Sequence, residues 1–333
     1  MKIIRFLLGG ILIFCIVFTL VFASNKIGEG HSFGSAEEYK GILTLWQVDS
    51  FEGGSGSRKQ FLLKVARDFE KQNAGVLVMV VEHTAESVKT ALDEGQSPDM
   101  ISFGNGTEVS GFLELSLGVK FSGGMIGEKE CAVPWCRGGY VLIANPSITT
   151  KELLLQDNFD SVLISQAEYT QPVLSLICEG IKVNNLTVKK PMDAYVDFVG
   201  GKIRYFLGTQ RDVVRLERRG VEVYARPLIE YNDLYQYVTI TSKDQTKKTY
   251  SGKFLEYLTS KKVQQSLNQI SMLSLNYGVE YQNQHLIQMQ KVQNKNTISA
   301  FTYAQVLKQT QLDCLKAMSG DDNLKIKIKN MLI

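Results

Sequence analysis

A glycine-rich loop at residues 53–58 has the composition of a phosphate-binding loop. It reads Gly-Gly-Ser-Gly-Ser-Arg, so it lacks both the Gly-Lys-Ser/Thr ending of a P-loop and the Gly-x-Gly-x-x-Gly spacing of a dinucleotide fold. The loop joins the carboxyl end of a predicted strand to the amino end of a predicted helix, which is where ligands bind in open α/β sheets. Free N–H groups at that helix end can receive ligand oxygen atoms, so we expect a ligand here. The alternative is an ordinary connection between strand and helix.

Two carboxylates, Asp49 and Glu52, accompany this loop. A glycosidase pair would need a defined separation and one raised pKa, and the sequence supports neither. Acceptance of hydrogen bonds from ligand hydroxyl groups is a more modest role for both residues. Solvated loop carboxylates are the alternative of equal weight.

Aromatic residues recur at the ends of the predicted strands, namely Trp46, Phe51, Phe103 and Trp135. A ring at the mouth of a sheet can stack on the apolar face of a sugar and leave the hydroxyl groups to polar neighbours. The alternative for each ring is a place in the hydrophobic core. The two tryptophans adjoin predicted turns, which favours a binding role for them over the other rings.

Metal, cofactor and nucleic-acid chemistry are not indicated. The three histidines, His31, His83 and His285, lie far apart and show no metal-ligand spacing, so we expect no metal site and no cofactor. We interpret His83 as a surface residue at a strand end. The formal net charge of +3, from 37 basic and 34 acidic residues, lacks the excess of a protein that binds nucleic acid.

Cysteine usage gives no redox motif. Four cysteines follow the first 23 residues, and no Cys-x-x-Cys occurs among Cys131, Cys136, Cys178 and Cys314. Four cysteines in an exported chain allow three pairings, and the sequence does not choose among them. Free buried thiols are the alternative.

The amino-terminal residues 1–23 predict export. Lys2 and Arg5 precede an almost wholly apolar run over 6–23, which has the pattern of a signal peptide and is also long enough for an uncleaved anchor. Cys15 follows Phe14 rather than the glycine or alanine of a lipobox, so we interpret it as an apolar residue of this segment. The polar, glycine-containing residues 24–40 predict a linker.

Strands and helices alternate through the rest of the 333 residues. Apolar runs at 42–48, 76–81 and 100–103 predict buried strands, and helices fall between them. Three such units in about 65 residues predict a parallel sheet with helices on its faces. Further strands are predicted at 140–144, 161–164, 202–207, 221–225 and 235–241, and helices at about 167–180, 191–199, 211–219, 244–259 and 261–269, with a helical tail after residue 277. Together with the length, this pattern predicts an α/β protein of two lobes.

Several segments in this order resemble the extracellular solute-binding proteins of family 1, the binding components of bacterial ABC importers. In the first part they are Leu-Thr-Leu-Trp at 43–46, the 49–57 loop, Phe-Glu-Lys-Gln-Asn at 69–73 and Pro-Asp-Met-Ile-Ser-Phe-Gly at 98–104. Later ones are Val-Pro-Trp-Cys-Arg-Gly-Gly-Tyr at 133–140 and the segments 198–202, 207–212, 254–258, 264–265 and 271–275. The resemblance spans about 41–320. Departures are the missing lipobox, the compact 147–190 region and Ser271 where glycine is common.

The resemblance implies a two-lobed periplasmic-binding-protein-like α/β fold with a hinge and a ligand cleft. Residues 41–135 and 242–270 would form the first lobe, and 136–241 and 271–333 the second. The implied function is capture of a small solute, above all a carbohydrate, by closing lobes that deliver it to the permease subunits of an ABC importer. The implied location is the periplasm or the outer face of the cytoplasmic membrane.

The resemblance also implies ligand contacts from both lobes. The expected contacts of the first lobe and its edge are Trp46, Asp49, Phe51, Glu52, Phe103 and Trp135. Those expected from the second lobe are Thr209, Arg211, Asp212 and Tyr235. Arg211 could hold ligand oxygens in a bidentate manner, and its alternative is an ion pair with Asp212 or Glu217.

Two other functional classes remain open at this point. An enzyme would need a convincing pair of acids, so we expect none. A membrane-tethered sensor that presents the solute to a receptor instead of a transporter is the more serious alternative, because the amino-terminal segment could remain as an anchor.

Overall fold

The computed structural model describes residues 39–50, 56–115, 120–147, 149–201 and 203–333. The chain divides into two units, residues 1–40 and 41–333. The predicted signal or anchor at 1–23 and nearly all of the predicted linker lie outside the described residues. No helix within the described ranges is long and apolar enough to cross a membrane.

Three parallel strands begin the first of two five-stranded sheets. They are β1 (Gly41–Val48), β2 (Val76–His83) and β3 (Met100–Phe103), with β1 between the other two. The last four residues of β1 and all of β3 are buried, as their continuous apolar runs predict. All three strands point their carboxyl ends to the same edge of the sheet.

Two antiparallel strands complete this first sheet. They are β6 (Val133–Arg137) and β12 (Tyr235–Ile240), and β12 lies between β3 and β6, so the order is β2-β1-β3-β12-β6. A hairpin of β4 (Met125–Ile126) and β5 (Lys129–Glu130) precedes β6. The sequence-based division places 235–240 in the second lobe. Because these residues pair with β3 and β6, we propose instead that the first lobe includes β12.

The second sheet has the order β11-β7-β10-β8-β9. Its strands are β7 (Tyr140–Ala144), β8 (Asn158–Ser165), β9 (Lys182–Lys189), β10 (Tyr205–Thr209) and β11 (Tyr224–Pro227). β8 lies parallel to β9 and β10, whereas β7 lies antiparallel to β10 and β11. Each sheet therefore forms the centre of one lobe.

Helices pack against both sheets. Those beside the first sheet are α1 (Arg58–Glu70), α2 (Ala85–Asp93), α7 (Gln245–Thr259) and α8 (Lys261–Gln264), which a 3₁₀ turn, Gln265–Ile270, extends. The others are α3 (Lys151–Leu154), α4 (Pro172–Glu179), α5 (Pro191–Val199), α6 (Gln210–Arg218), α9 (Gln284–Gln290), α10 (Ala304–Met318) and α11 (Asp322–Lys329).

Helix starts follow from local capping. Ser57 caps α1, because its side chain accepts a hydrogen bond from the backbone N–H of Gln60 at 3.3 Å. Thr84 and Ser87 form a reciprocal capping box at the start of α2. α4 begins at Pro172, five residues later than predicted, because proline fits the first turn of a helix. The residues before Pro172 are therefore a loop.

Several strands depart from the prediction, among them β8 and β10, which begin at Asn158 and Tyr205 rather than at residues 161 and 202. β9 is not predicted, because most of its residues are exposed at the edge of the sheet and its sequence contains lysines and asparagines. β11 begins at Tyr224, three residues after the predicted strand start.

The crossings between the lobes lie side by side. Arg137, at the end of β6, exchanges two backbone hydrogen bonds of 2.9 Å with Leu273. Its buried guanidinium donates to the carbonyl oxygens of Ser274 at 3.2 Å and Gln290 at 3.0 Å. These bonds fix the two crossings to each other, although Arg137 Nη1 has no hydrogen-bond partner among the described residues.

Trp135 provides a test of the first-lobe core. Its buried ring stacks on Phe61 at 5.7 Å, and its Nε1 donates to the Ser102 hydroxyl at 2.9 Å. We expect Trp135→Ala to lower the free energy of unfolding by about 3–5 kcal/mol. Trp135→Phe retains the ring and should cost about 1–2 kcal/mol through the lost hydrogen bond. Urea denaturation measures both, and equal losses in the two variants would contradict this packing.

Candidate functional site

A cavity of about 1210 Å³ lies between the two lobes. The carboxyl end of β1 contributes Val48, Asp49 and Ser50, and that of β2 contributes Glu82 and His83. The loop after β8 closes the other side, as the switch-point rule for open α/β sheets predicts. The remaining lining residues are Thr84, Ala85, Ser87, Asn105, Thr107, Gln166, Ala167, Glu168, Tyr169, Thr170, Lys190, Pro191, Asp233, Lys308 and Gln311.

The first-lobe wall carries a carboxylate that is already neutralised. Asp49 accepts hydrogen bonds from Gln47 Nε2 at 2.9 Å and from Arg58 Nε at 3.3 Å. Arg58 is buried at the start of α1 and also donates to the Ser50 carbonyl. Asp49 can therefore accept further hydrogen bonds without adding an unpaired negative charge to the cavity.

His83 places an aromatic surface on the same wall. Its ring centroid lies 4.4 Å from that of Trp46, and its Nδ1 lies 3.1 Å from the Ser87 hydroxyl. Burial lowers the pKa of His83, so its ring is neutral at pH 7. A neutral imidazole offers one donor and one acceptor nitrogen to its surroundings.

The second-lobe wall combines a ring with an ion pair. Lys308 of α10 bonds Glu168 at 3.0 Å, and this hydrogen bond lowers the pKa of the Glu168 carboxyl. The Lys308 Nζ lies 5.2 Å from the centroid of the Tyr169 ring. Gln311 holds the loop by donating to the carbonyl oxygens of Glu168 at 3.0 Å and Thr170 at 2.8 Å. Helix α10 thus positions Tyr169 in the cavity.

Asp233 forms the floor, where both lobes meet. Its carboxylate accepts hydrogen bonds from Tyr140 Oη at 2.6 Å and from the Gln171 backbone N–H at 3.0 Å. Its backbone carbonyl accepts a bond from Asn105 Nδ2 at 3.3 Å. Burial raises the pKa of Asp233 to about 6 despite these donors.

Asn105 lines the cavity and contains a buried acceptor atom without a partner. Its side chain is buried, and its Oδ1 atom accepts no hydrogen bond from the residues that the structure describes. A buried polar atom without a partner costs about 1–3 kcal/mol, so this oxygen destabilises the lining where Asn105 stands.

Two contacts connect the walls of the two lobes. Gly106, after β3, lies against the ring of Tyr169, and a Cβ atom at this glycine would lie only 2.2 Å from Tyr169 Cγ. Arg211, at the start of α6, donates to the Gly56 carbonyl oxygen in the loop before α1. The cavity therefore lies between lobes that touch each other.

The structure places some of the predicted ligand residues near this cavity. Asp49 lines it, and Trp46 lies behind His83. Arg211 bridges the lobes as described, while Thr209 and Asp212 form the capping box of α6. Burial raises the pKa of the Asp212 carboxyl, and Thr209 is its hydrogen-bond partner.

The other predicted ligand residues lie in the interior of a lobe or outside the described residues. Phe103, Trp135 and Tyr235 are buried and do not line the cavity, and the Tyr235 ring packs on Phe121 at 4.7 Å. Phe51 and Glu52 lie outside the described residues. A ligand contact for these five side chains stays a prediction.

The sequence analysis did not predict several cavity residues. Asn105 follows a buried strand and His83 ends one. Their positions at the carboxyl ends of strands could have marked both as candidate ligand contacts. Tyr169 falls within a predicted helix. Lys308 lies in the predicted helical tail, far along the sequence from any predicted strand end. Within the described part of the chain, no cluster of three or more histidine, cysteine or acidic side chains could hold a metal ion.

The overall fold is similar to that of solved sugar-binding proteins. The sugar-binding protein MalE from Xanthomonas citri matches with a TM-score of 0.60 at 14% identity, over 87% of this chain and 96% of that one. The GacH receptor of Streptomyces glaucescens, solved unliganded and with acarbose, matches with a TM-score of 0.57 at 13% identity, over 88% and 97%. The maltose/maltodextrin-binding domain MalE from Bdellovibrio bacteriovorus, bound to maltotriose, gives 0.55 at 12% identity, over 87% and 99%.

At these identities the likeness is one of fold. It confirms the predicted α/β, two-lobed periplasmic-binding-protein-like architecture. No protein-family model and no curated relative matches the sequence.

Two glycines with the same backbone conformation test the contact between the walls. Gly106 has φ of +84° and Gly95 has +81°, but nothing lies within 4 Å of a Cβ atom at residue 95. Gly106→Ala should lower the free energy of unfolding by about 1–3 kcal/mol more than Gly95→Ala, because it also overpacks Tyr169. Denaturation of both variants measures the difference. Tyr169→Ala should reduce that difference, although the Cβ atom of residue 169, at 2.8 Å, remains, and persistence of the full loss without the ring would contradict the contact.

The raised pKa of Asp233 predicts how the free energy of unfolding depends on pH. Its folded pKa of about 6 exceeds the ordinary value of 3.8, so the folded chain holds this proton more tightly. The stabilisation is present below about pH 4 and is lost as the pH rises through 6, by about 3 kcal/mol in all. The free energy of unfolding of Asp233→Asn minus that of the parent chain should therefore increase from pH 4 to pH 7. Denaturation at each pH measures it, and a constant difference would refute the assignment.

Proposed function

We propose that this protein is an extracellular solute-binding protein that captures a carbohydrate between its lobes and delivers it to the permease of an ABC importer. The observation that carries the proposal is the cavity between the lobes, which polar side chains and rings from both lobes line. The similarity of fold to sugar-binding proteins supports the same conclusion.

The charges of the cavity favour a neutral ligand rich in hydroxyl groups. Three of the four lining carboxylates have a cation: Asp49 has Arg58, Glu82 has Lys59 at 2.7 Å, and Glu168 has Lys308. The fourth, Asp233, is bonded by Tyr140 and the Gln171 N–H instead. Paired carboxylates still accept hydrogen bonds from hydroxyl groups, but they offer no net charge to an ionic ligand. A phosphate group would need unpaired cations, which this pairing reduces.

Rings and amides complete the requirements of sugar binding. Tyr169 and His83 present aromatic surfaces from opposite lobes, and an aromatic face suits the C–H side of a sugar ring. Asn105, Gln166 and Gln311 supply amide groups around them. We retain Trp46, Asp49 and Arg211 as proposed contributors, Trp46 through its support of His83.

Binding without catalysis fits this arrangement. A ligand that touches both walls would favour the closed form, because only such a ligand binds the closed state better than the open one. Delivery to a permease requires export, which the apolar run at residues 6–23 supports. We therefore place the protein in the periplasm or at the outer face of the cytoplasmic membrane.

Calorimetric titration with maltotriose, other oligosaccharides, polyols and phosphate esters tests the ligand class. We expect one saccharide to bind, and Asn105→Ala to weaken its binding by about tenfold or more, because the variant loses a lining amide and its hydrogen bond to the Asp233 carbonyl. Asn184→Ala is the matched control, since Asn184 lies exposed on β9 and should leave the affinity unchanged. Binding of a phosphate ester but of no saccharide would reject the carbohydrate proposal.

A further inference from the structure

Two cysteines lie together where α4 packs on α10. Cys178 lies half-buried in the last turn of α4, and Cys314 belongs to the buried face of α10 with Leu307, Thr310 and Ala317. Both thiols are free in the structure. Burial raises the pKa of the Cys314 thiol to about 12, and the charge of the neighbouring Cys178 also raises it. The two sulfur atoms are therefore close enough for the charge on one to affect the other.

A hydrogen bond relates the register of the two helices. Gln171, the residue before α4, donates from Nε2 to the Leu307 carbonyl oxygen of α10 at 3.0 Å. Cys178 lies seven residues after Gln171, and Cys314 lies seven residues after Leu307. Seven residues are almost two helical turns, so both cysteines stand at about the same distance along their helices from this contact. Two contacts with equal spacing indicate that the helices run side by side in the same direction.

The buried ring of Tyr231 lies beside the same two thiols. Burial raises the pKa of its hydroxyl group, and the charges of the neighbouring acidic groups raise it further, namely those of Asp233, Tyr140, Cys178 and Cys314. One side chain is thus near both sulfur atoms and near the Asp233 floor of the cavity.

The other two cysteines of the described ranges stand too far apart to pair with each other. Cys136 lies opposite Gln236 of β12, whereas the Cys131 carbonyl oxygen accepts a hydrogen bond from Thr239 Oγ1 at 2.6 Å. Three residues of extended strand, about 10 Å, separate these two positions on β12. A disulfide needs Cα atoms within about 7 Å of each other. The first lobe therefore holds two single buried thiols, unlike the pair between α4 and α10.

We propose that Cys178 and Cys314 form a disulfide bond that ties α4 to α10 in the exported protein. This inference rests on the export that the proposed function requires, because disulfides persist in oxidising compartments outside the cytoplasm. The bond lies behind one wall of the cavity, since α4 follows the Tyr169 loop and α10 supplies Lys308. It holds together the two elements that form the second-lobe wall.

The bond forms by exchange with a disulfide oxidant of that compartment, for which oxidised glutathione is the probe. The thiolate of Cys178, the more exposed residue, attacks one glutathione sulfur and releases one glutathione thiolate. The Cys314 thiolate then attacks the Cys178 sulfur and releases the second glutathione. The two protein thiols lose two electrons and two protons in all, and the oxidant takes them up as two thiols.

Burial decides when this exchange takes place. It raises the pKa of both thiols to about 12, so thiolate is scarce once the lobe has folded. The exchange therefore accompanies folding after export, while the two thiols are still accessible. The same burial then protects the finished bond from reducing thiols.

Peptide mapping of the full chain tests the bond. The chain is taken from cells of its native organism into urea with iodoacetamide, which blocks free thiols, and is digested without a reductant. We expect the peptide of Cys178 linked to that of Cys314, with Cys131 and Cys136 alkylated as the matched control. Alkylation of Cys178 and Cys314 in the exported chain, or a bond from either to another cysteine, overturns the proposal.

Refolding of the full chain from urea gives a second measurement. The chain refolded with reduced and oxidised glutathione should melt about 3–6 °C higher than the chain refolded with reduced glutathione alone, because the bond constrains the unfolded chain. Cys178→Ser should abolish this shift, whereas the matched variant Cys131→Ser should retain it. No shift in the parent chain, or a shift that survives Cys178→Ser, overturns the proposal.

Cell fractionation separates this inference from the proposed function. An exported chain with Cys178 and Cys314 both alkylated removes the disulfide alone. A chain that stays in the cytoplasm, but gains the bond on refolding with oxidised glutathione, removes the export alone.

Discussion

Burying the Asp233 carboxylate is the constraint on which the centre of this protein depends. A buried carboxylate is costly unless donors surround it, and both of its donors, Tyr140 and Gln171, come from the second lobe. The backbone carbonyl of Asp233 also accepts a hydrogen bond from the Asn105 amide of the first lobe. One residue thereby fixes the floor of the cavity, the start of α4 and the end of the β3 loop relative to one another.

The walls of the cavity follow a different rule from its floor. Each wall neutralises its own charge: Asp49 pairs with Arg58 inside the first lobe, and Glu168 pairs with Lys308 inside the second. The walls can therefore separate without breaking an ion pair in either lobe. What joins them is the packing of Tyr169 on Gly106, which has little polar cost to break, and one hydrogen bond from Arg211 to the Gly56 carbonyl oxygen. This arrangement would suit the opening and closing that we propose for the lobes.

The sequence predicts this fold well where apolar runs and capping residues coincide, as in β1 followed by the Ser57-capped α1. It fails for β9, whose polar sequence pairs at a sheet edge. The site is harder to predict, because strand-end aromatics such as Trp135 satisfy the core as readily as a ligand. The cavity residues Tyr169 and Lys308 meet only through tertiary packing of α10 on α4, which no local spacing records.

The position of β12 between β3 and β6 has a consequence for how the chain acquires its structure. β6 cannot join the first sheet until β12 has been made, and β12 is separated from it by the whole second sheet. Synthesis thus finishes the strands of the second lobe before the first lobe can close its own sheet. The cavity is complete later still, since Lys308 and Gln311 lie near the end of the chain. Such long-range pairing makes folding slow, so the nascent chain must persist for a period with an unfinished first lobe.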